Sequence, residues 1–292
     1  MPELIKIAST ANHTFVTPLM TLYVSILEHN PAVNFEFFII DDALQPIDYR
    51  YLNTLCQYYP NCRRINFLRV DSAGYARAAT SHRIIQSAYY RIDLPETLRN
   101  HERLLYLDCD MICRGKLLPL WHQNLHGRIL GAVEDAGYVE ARLDKMQIPH
   151  HEKCYFNSGL MLIDVAQWRR HKVSQRVKAF IAAHADQLRY HDQDALNAIL
   201  ADHWLRLHPK YNAQSRLLWR EQQHREPAEE QRNEAARQAP VLLHYSGYRK
   251  PWNATDHHPA AAAFNAYQPL VQQLKLKTSE PTPFKMNSKT QK

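Results

Sequence analysis

No stretch of this 292-residue chain is apolar for long enough to cross a membrane as a helix. The N-terminus, Met1 to Lys6, has no basic segment followed by an apolar one, so a secretion signal is not expected. Cysteine is sparse and odd in number. Cys56, Cys62, Cys109, Cys113 and Cys154 lie scattered, and no Cys-x-x-Cys pair exists. That argues against a disulfide framework or a zinc knuckle and makes a reducing cytoplasm the expected setting. A Gly-x-Gly-x-x-Gly run after the first strand is also missing, which weakens any ordinary NAD-type reading. Internal repeats are absent. The basic residues do not interleave with aromatics in a stripe, so nucleic acid is not the expected partner.

What is present suffices for a sizeable core. Hydrophobic residues make up 45% of the chain, an ordinary globular value. The net charge of +7 suits an anionic partner such as a phosphorylated substrate or a membrane surface, although many soluble proteins are mildly basic. Charge concentrates at the end, where Lys275, Lys277, Lys285, Lys289 and Lys292 face the single acid Glu280. The expected organisation is one domain over residues 1–276 and a flexible basic tail over 277–292. The tail is a candidate for peripheral contact with anionic lipid at the inner face of the plasma membrane, and a plain solvated terminus is an equally good reading.

Strand and helix patterns alternate along the first half. Leu4–Ala8 reads as a strand, residues 9–14 as a polar turn, and Pro18–Leu27 as a helix that stops at Asn30-Pro31. Phe35–Ile40 is a second strand, 47–59 a helix and Ile65–Val70 a third strand. This spacing predicts βαβ units, a mostly parallel doubly wound sheet and a ligand site at its switch point. Further on, Ile84–Ile92 reads as a helix, Ile129–Val133 and Tyr155–Asp164 as strands, residues 168–184 as one amphipathic helix and 260–276 as a last helix. Residues 220–239 read as a solvated excursion with almost no apolar face.

Leu104–Ile112 reads as a buried strand running into Asp108 and Asp110. Alternation along an unbroken strand would point both carboxylates the same way, where they repel unless a hard cation joins them. A turn after a strand would also contain aspartate, so the pair alone is weak. The run Val241–Gly247 reads as another short buried strand, and His244 stands at the end of its apolar part. Two carboxylates and an imidazole favour manganese, with magnesium as second candidate. Gly247 and Lys250 follow, suited to backbone approach and counter-charge at a diphosphate. Asn157-Ser158-Gly159 interrupts its strand, which marks a bulge or a close backbone approach. Asp192 is a candidate helix N-cap or ligand contact, whereas Asp194 reads better as structural.

The motifs Leu-Tyr-Leu-Asp108-Cys109-Asp110, Pro119-Leu120-Trp121, Tyr155-Phe156-Asn157-Ser158-Gly159, Asp192-Gln193-Asp194-x-Leu196-Asn197 and His244-Tyr245-Ser246-Gly247-x-x-Lys250-Pro251-Trp252 occur in order. Together they resemble glycosyltransferase family 8, with most likeness to its bacterial lipooligosaccharide α-galactosyltransferase type. The resemblance implies a single GT-A-type domain, a UDP-hexose donor, manganese and retention of anomeric configuration. It implies Asp108, Asp110 and His244 as metal ligands. On the donor side it implies Ala8, Ser9, Thr10, Asn12, Arg91, Cys109, Asn157, Ser158, Asp192, Gln193, Gly247 and Lys250. On the acceptor side it implies His82, Arg83, Asp135, Tyr190 and Ser246, with Asp192 and Gln193 as the catalytic pair. The acceptor implied is a saccharide or glycolipid of a bacterial surface glycan.

Two departures stand out. Thr10 replaces an acidic residue in the first loop, and Ser246 replaces a cysteine near the acceptor, so acceptor identity does not carry over. Retention calls either for a nucleophile on the opposite face, where Gln193 is a poor one, or for a front-face route in which the departing phosphate takes the acceptor proton. A metal-dependent phosphohydrolase using Asp108 and Asp110 is the alternative enzyme, and a basic nucleic-acid-binding protein the alternative of another class.

Overall fold

The computed structural model describes residues 2–70, 75, 86–139, 141–151, 154–221, 223–224, 226–253 and 255–278. Its ten strands are β1 (Leu4–Ala11), β2 (Asn34–Asp41), β3 (Cys62–Leu68), β4 (Arg103–Leu107), β5 (Met111–Cys113), β6 (Leu130–Glu134), β7 (Phe156–Asp164), β8 (Trp204–Arg206), β9 (Ala213–Gln214) and β10 (Leu242–His244). Seven form one sheet in the order β3-β2-β1-β4-β7-β6-β8. All its pairings are parallel except the two made by β7. The mixed, mostly parallel α/β sheet is the kind the GT-A resemblance implied. The chain steps outward from β1 to β3 and then returns to the other side of β1 as β4. The crevice beyond the ends of β1 and β4 is therefore the switch point, where open α/β sheets bind ligands.

Both faces of the sheet are covered, which explains unbroken apolar runs such as Phe37-Phe38-Ile39-Ile40. On one face the helix Val16–His29 and the terminal helix Gln268–Lys277 pack with Ile5, Ile7, Phe35 and Phe37. On the other, Trp168, Val177, Ile181 and Leu196 pack with Tyr106, Met161 and Ile163. A second, three-stranded sheet, β5-β10-β9, stands beyond the end of β4.

The structure departs from the sequence reading where tertiary pairing overrides local pattern. The run Leu104–Ile112 is not one strand. β4 ends at Leu107, Asp108–Asp110 make a turn, and β5 joins the second sheet. The two carboxylates therefore converge through a turn, not through strand alternation. β1 continues through Ser9 and Thr10 to Ala11, because β2 pairs with it along its whole length. The segment 168–184 is two helices, Val165–Arg170 and Val173–His184, parted by Lys172 in the left-handed region (φ 51°). The last helix divides into Ala261–Asn265 and Gln268–Lys277, with Pro269 in the first turn of the second. Gln86–Asp93 is a 3-10 helix, and Ile84 and Ile85 lie outside the described residues.

Residues 227–238 are not merely solvated. They form a helix that buries Asn233 and Ala236 and is laced by Arg237 to Glu230 and Glu234. Its apolar contact is one alanine wide, too narrow for a periodicity signal. Most of the basic tail falls outside the described residues. Lys277 and Thr278 still belong to the fold, with Lys277 over the Tyr58 ring and Thr278 accepting from Arg50.

Candidate active site

A cavity of about 430 Å³ opens at the switch point, within the range of small-ligand sites. Thr10 and Asn12 line it from the end of β1, and Asp108, Cys109 and Asp110 from the turn after β4. The second sheet brings in His244. β10 runs antiparallel to β5, pairing Leu242 with Cys113 and His244 with Met111. Tyr245 N–H then donates to Asp110 O (3.0 Å). That register sets the imidazole against the aspartate turn across more than a hundred residues of chain.

One ligand atom from each of Asp108, Asp110 and His244 lies within 4.8 Å of the others. His244 Nε2 is 3.2 Å from Asp110 Oδ1 and 3.7 Å from Asp108 Oδ2. The tautomer of His244 follows from a chain of hydrogen bonds behind it. Gly159 N–H donates to Asn157 Oδ1 (3.1 Å), so that atom is an acceptor, and Asn212 must offer it Nδ2 (2.9 Å). Asn212 Oδ1 then faces His244 Nδ1 (2.8 Å), which carries the proton. With the ring proton on Nδ1, Nε2 faces Asp110 Oδ1 and Asp108 Oδ2 and can ligate a cation placed between the two carboxylates. Asp110 Oδ1 is correspondingly buried without a hydrogen-bond partner. The donor set, oxygens with one imidazole, fits manganese or magnesium chemistry. The strand β7 runs unbroken through Asn157-Ser158-Gly159, and the glycine there answers to a close approach. A Cβ there would collide with the His244 ring and come within 2.8 Å of Asp108 Oδ2. The β6–β7 register also jumps, from Ala132↔Met161 to Val133↔Asn157, so the expected bulge and the close approach are the same feature.

Two cations counter the acids. Lys250 Nζ bonds Asp110 Oδ2 and the Tyr245 carbonyl. Burial opposes ionisation of Asp110, but the Lys250 ammonium beside it outweighs that and holds the carboxyl below the usual range. Arg91 is buried and bridges Asp108 (2.9 Å) and Asp192 (3.2 Å) over the Tyr106 ring. Burial raises Asp192 despite that partner. Asp192 is not the helix cap. His191 occupies that position (φ 51°), and Asp192 is the first helical residue, turned toward Arg91 and Ser158 Oγ (3.2 Å). Asp194 is structural, fully buried, and held by Arg142, Tyr155 Oη and the Tyr190 amide.

Gln193 is fixed from three sides. Its Oε1 accepts from Asn157 Nδ2 and Ser158 N–H (3.1 Å each), and its Nε2 donates to Asp135 Oδ2 (3.1 Å). Asp135, Tyr190 and Ser246 share the cavity wall with Gly247 and Lys250. Gly247 needs its glycine for a left-handed φ of 86°. The Cys109 thiol is held protonated by burial and its two aspartate neighbours. Ala8 and Ser9 are fully buried in β1, behind the wall that Thr10 and Asn12 form. Asn12 Oδ1 caps the turn at Thr14 and Phe15. His82 and Arg83 lie outside the described residues.

Sequence reasoning missed Tyr106, Asn212 and Arg216. Tyr106 Oη donates to Asp108 Oδ1 (2.9 Å) from inside an apolar strand. Asn212 follows the short helical turn Pro209–Tyr211 in a segment without periodicity. Its only local signal is a polar residue beside apolar ones.

Residues 6–256 match the profile of Glycosyl transferase family 8. The chain is 35% identical over 264 residues to General stress protein A of Bacillus subtilis (strain 168), covering 88% of this chain and 90% of the relative. It is 23% identical over 260 residues to Lipopolysaccharide 1,2-glucosyltransferase of Escherichia coli (strain K12), covering 88% and 75%. The crystal structure of galactosyltransferase LgtC with donor and acceptor sugar analogues superposes with a TM-score of 0.80 at 23% identity, covering 96% of this chain and 98% of that one.

Proposed function

The chain belongs to glycosyltransferase family 8, and from that premise we propose that it moves a hexose, galactose or glucose, from a UDP-sugar to a saccharide acceptor with retention of configuration. The acceptor class is a bacterial surface glycan, and lipopolysaccharide glycosyltransferases among the relatives support that setting. The observation that carries the reading is the Asp108–Asp110–His244 triangle, with its histidine lone pair facing inward and Lys250 beside it. Manganese, when bound there, supplies Lewis-acid neutralisation of the diphosphate.

The chain's own groups do the remainder. Lys250 adds counter-charge at the leaving group. Arg91 orients Asp192 and Asp108 at the sugar end of the cavity. Gln193 Oε1 already accepts two hydrogen bonds, and Asp192 is tied to Arg91. Neither is a free carboxylate poised for attack, which favours the front-face route. There the bond from C1 to the phosphate oxygen breaks as the acceptor oxygen bonds C1, and the acceptor proton passes to the departing phosphate.

A panel of UDP-sugars with manganese, scored for UDP release and for glycosylated product, tests the proposal. Asp110→Ala and His244→Ala are expected to lose manganese-dependent turnover while remaining folded. Wild-type activity in either variant removes that ligand. Free phosphate in place of intact UDP would identify a phosphohydrolase instead.

A further inference from the structure

Three cations are described in the wall of the cavity, and two are committed to its acids: Arg91 to Asp108 and Asp192, and Lys250 to Asp110. The third, Arg216, is held differently. Its Nε lies 3.7 Å from Glu221 Oε2, with both side chains nearly half exposed (44% and 46%). Such a pair holds a guanidinium weakly. The head group instead rests against Gly137, where a Cβ would collide with Arg216 Nη1 and stand 3.0 Å from Asp135 Oδ1. Arg216 and Asp135 therefore flank one point on the acceptor side. Among the described residues no ion pair joins Asp135 to Arg216; the Asp135 carboxylate accepts instead from Gly137 N–H, Asn157 Nδ2 and Gln193 Nε2, and the guanidinium keeps donors for a ligand.

The same chemistry continues outward. Ser215 N–H donates to Ser246 Oγ (3.2 Å), joining the Arg216 helix to the 246–250 loop. On that loop Arg249 lies over the rings of Trp219 (4.9 Å) and Tyr248 (5.5 Å), and Tyr248 is 65% exposed. A flat aromatic face beside a guanidinium suits a sugar ring that bears an anion.

We propose that the acceptor is an anionic saccharide, carrying a phosphate or carboxylate near the hydroxyl that receives the hexose, and that Arg216, seated by Gly137, reads that charge. This rests on the transferase reading above and adds to it the class of acceptor. Arg216 is here a specificity residue, since a planar fork of donors matches a phosphate or carboxylate.

The test is direct binding. Full-length protein is loaded with UDP and magnesium, then titrated with methyl glucoside, methyl glucoside 6-phosphate, methyl glucuronide and inorganic phosphate. The two charged sugars are expected to bind at least about tenfold tighter than the neutral one, as charge-assisted hydrogen bonds allow. Arg216→Ala is expected to abolish the difference. Gly137→Ala keeps the charge but displaces the guanidinium, and is expected to abolish it too. A preference for the phosphate over the uronate, or the reverse, identifies which anion is read. Equal wild-type affinities, a preference that survives in either variant, or inorganic phosphate binding as tightly as the sugar phosphate each overturn the inference. Failure of UDP to load with either magnesium or manganese would instead sink the transferase reading, and is seen before any sugar is added.

Discussion

Asn212 is not one of the proposed ligands, yet Asn212→Ala is expected to weaken metal binding at the proposed site through His244. In the wild-type chain Asn212 Oδ1 accepts from His244 Nδ1–H at 2.8 Å, which keeps the ring proton on Nδ1 and off Nε2. Without that acceptor the proton is better placed on Nε2, which lies 3.2 Å from Asp110 Oδ1, hydrogen-bond distance. A hydrogen bond to that carboxylate is worth about 1.5–3 kcal/mol, and a cation must break it before it can be ligated. Manganese affinity should fall about 10- to 100-fold, the usual cost of losing a ligand's orienting partner. The assay is half-saturation of UDP release by manganese at fixed UDP-sugar, with direct manganese binding in the presence of UDP as a second measure. A thermal melt establishes that the variant folds. Unchanged half-saturation in a folded Asn212→Ala protein would refute the tautomer argument.

Gly159→Ala should cost about 1–3 kcal/mol of stability by overpacking and abolish metal-dependent turnover, because the buried His244 ring cannot retreat from the new Cβ; a chemical melt and the UDP-release assay read both. Asp194→Ala, which strands Arg142, Tyr155 Oη and the Tyr190 amide, should destabilise by about 3–5 kcal/mol, measured in denaturant. His258 is buried, and burial with the nearby Lys250 charge lowers it from 6.5 to about 4. Because its folded pKa is depressed, the unfolded chain takes the proton first as pH falls. Stability is therefore complete above about 6.5 and drains toward pH 4, with about 2 kcal/mol lost between pH 7 and 5. His258→Gln, which can still bond Ser215 Oγ, should flatten that part of the pH–stability curve, and an identical curve would remove His258 as its cause.

Much of the architecture is written locally. Leu4–Ala8 and Phe35–Ile40 fall inside longer strands and residues 47–59 overlap the helix Pro46–Tyr58 to within a residue at each end, because apolar period and turn residues act over a few neighbours. Asn157-Ser158-Gly159 announced a bulge or a close approach because turn-forming residues are out of place in a buried strand, and the structure has a register shift and a close approach there. The second sheet had no such signal. Its pairing of β5 with β10 is a contact between Met111 and His244 that no local pattern encodes, and it cut short the strand that Leu104–Ile112 was expected to form. Side-chain chemistry alone named aspartates, a histidine and a lysine as a cation and diphosphate set. Which nitrogen of His244 faces the carboxylates, which way the Gln193 amide is turned and which arginine is held loosely were decided by Asn157, Asn212, Asp135 and Gly137. Those residues act through hydrogen bonds and contacts made only when distant segments fold together, so their roles exist in three dimensions and not along the chain.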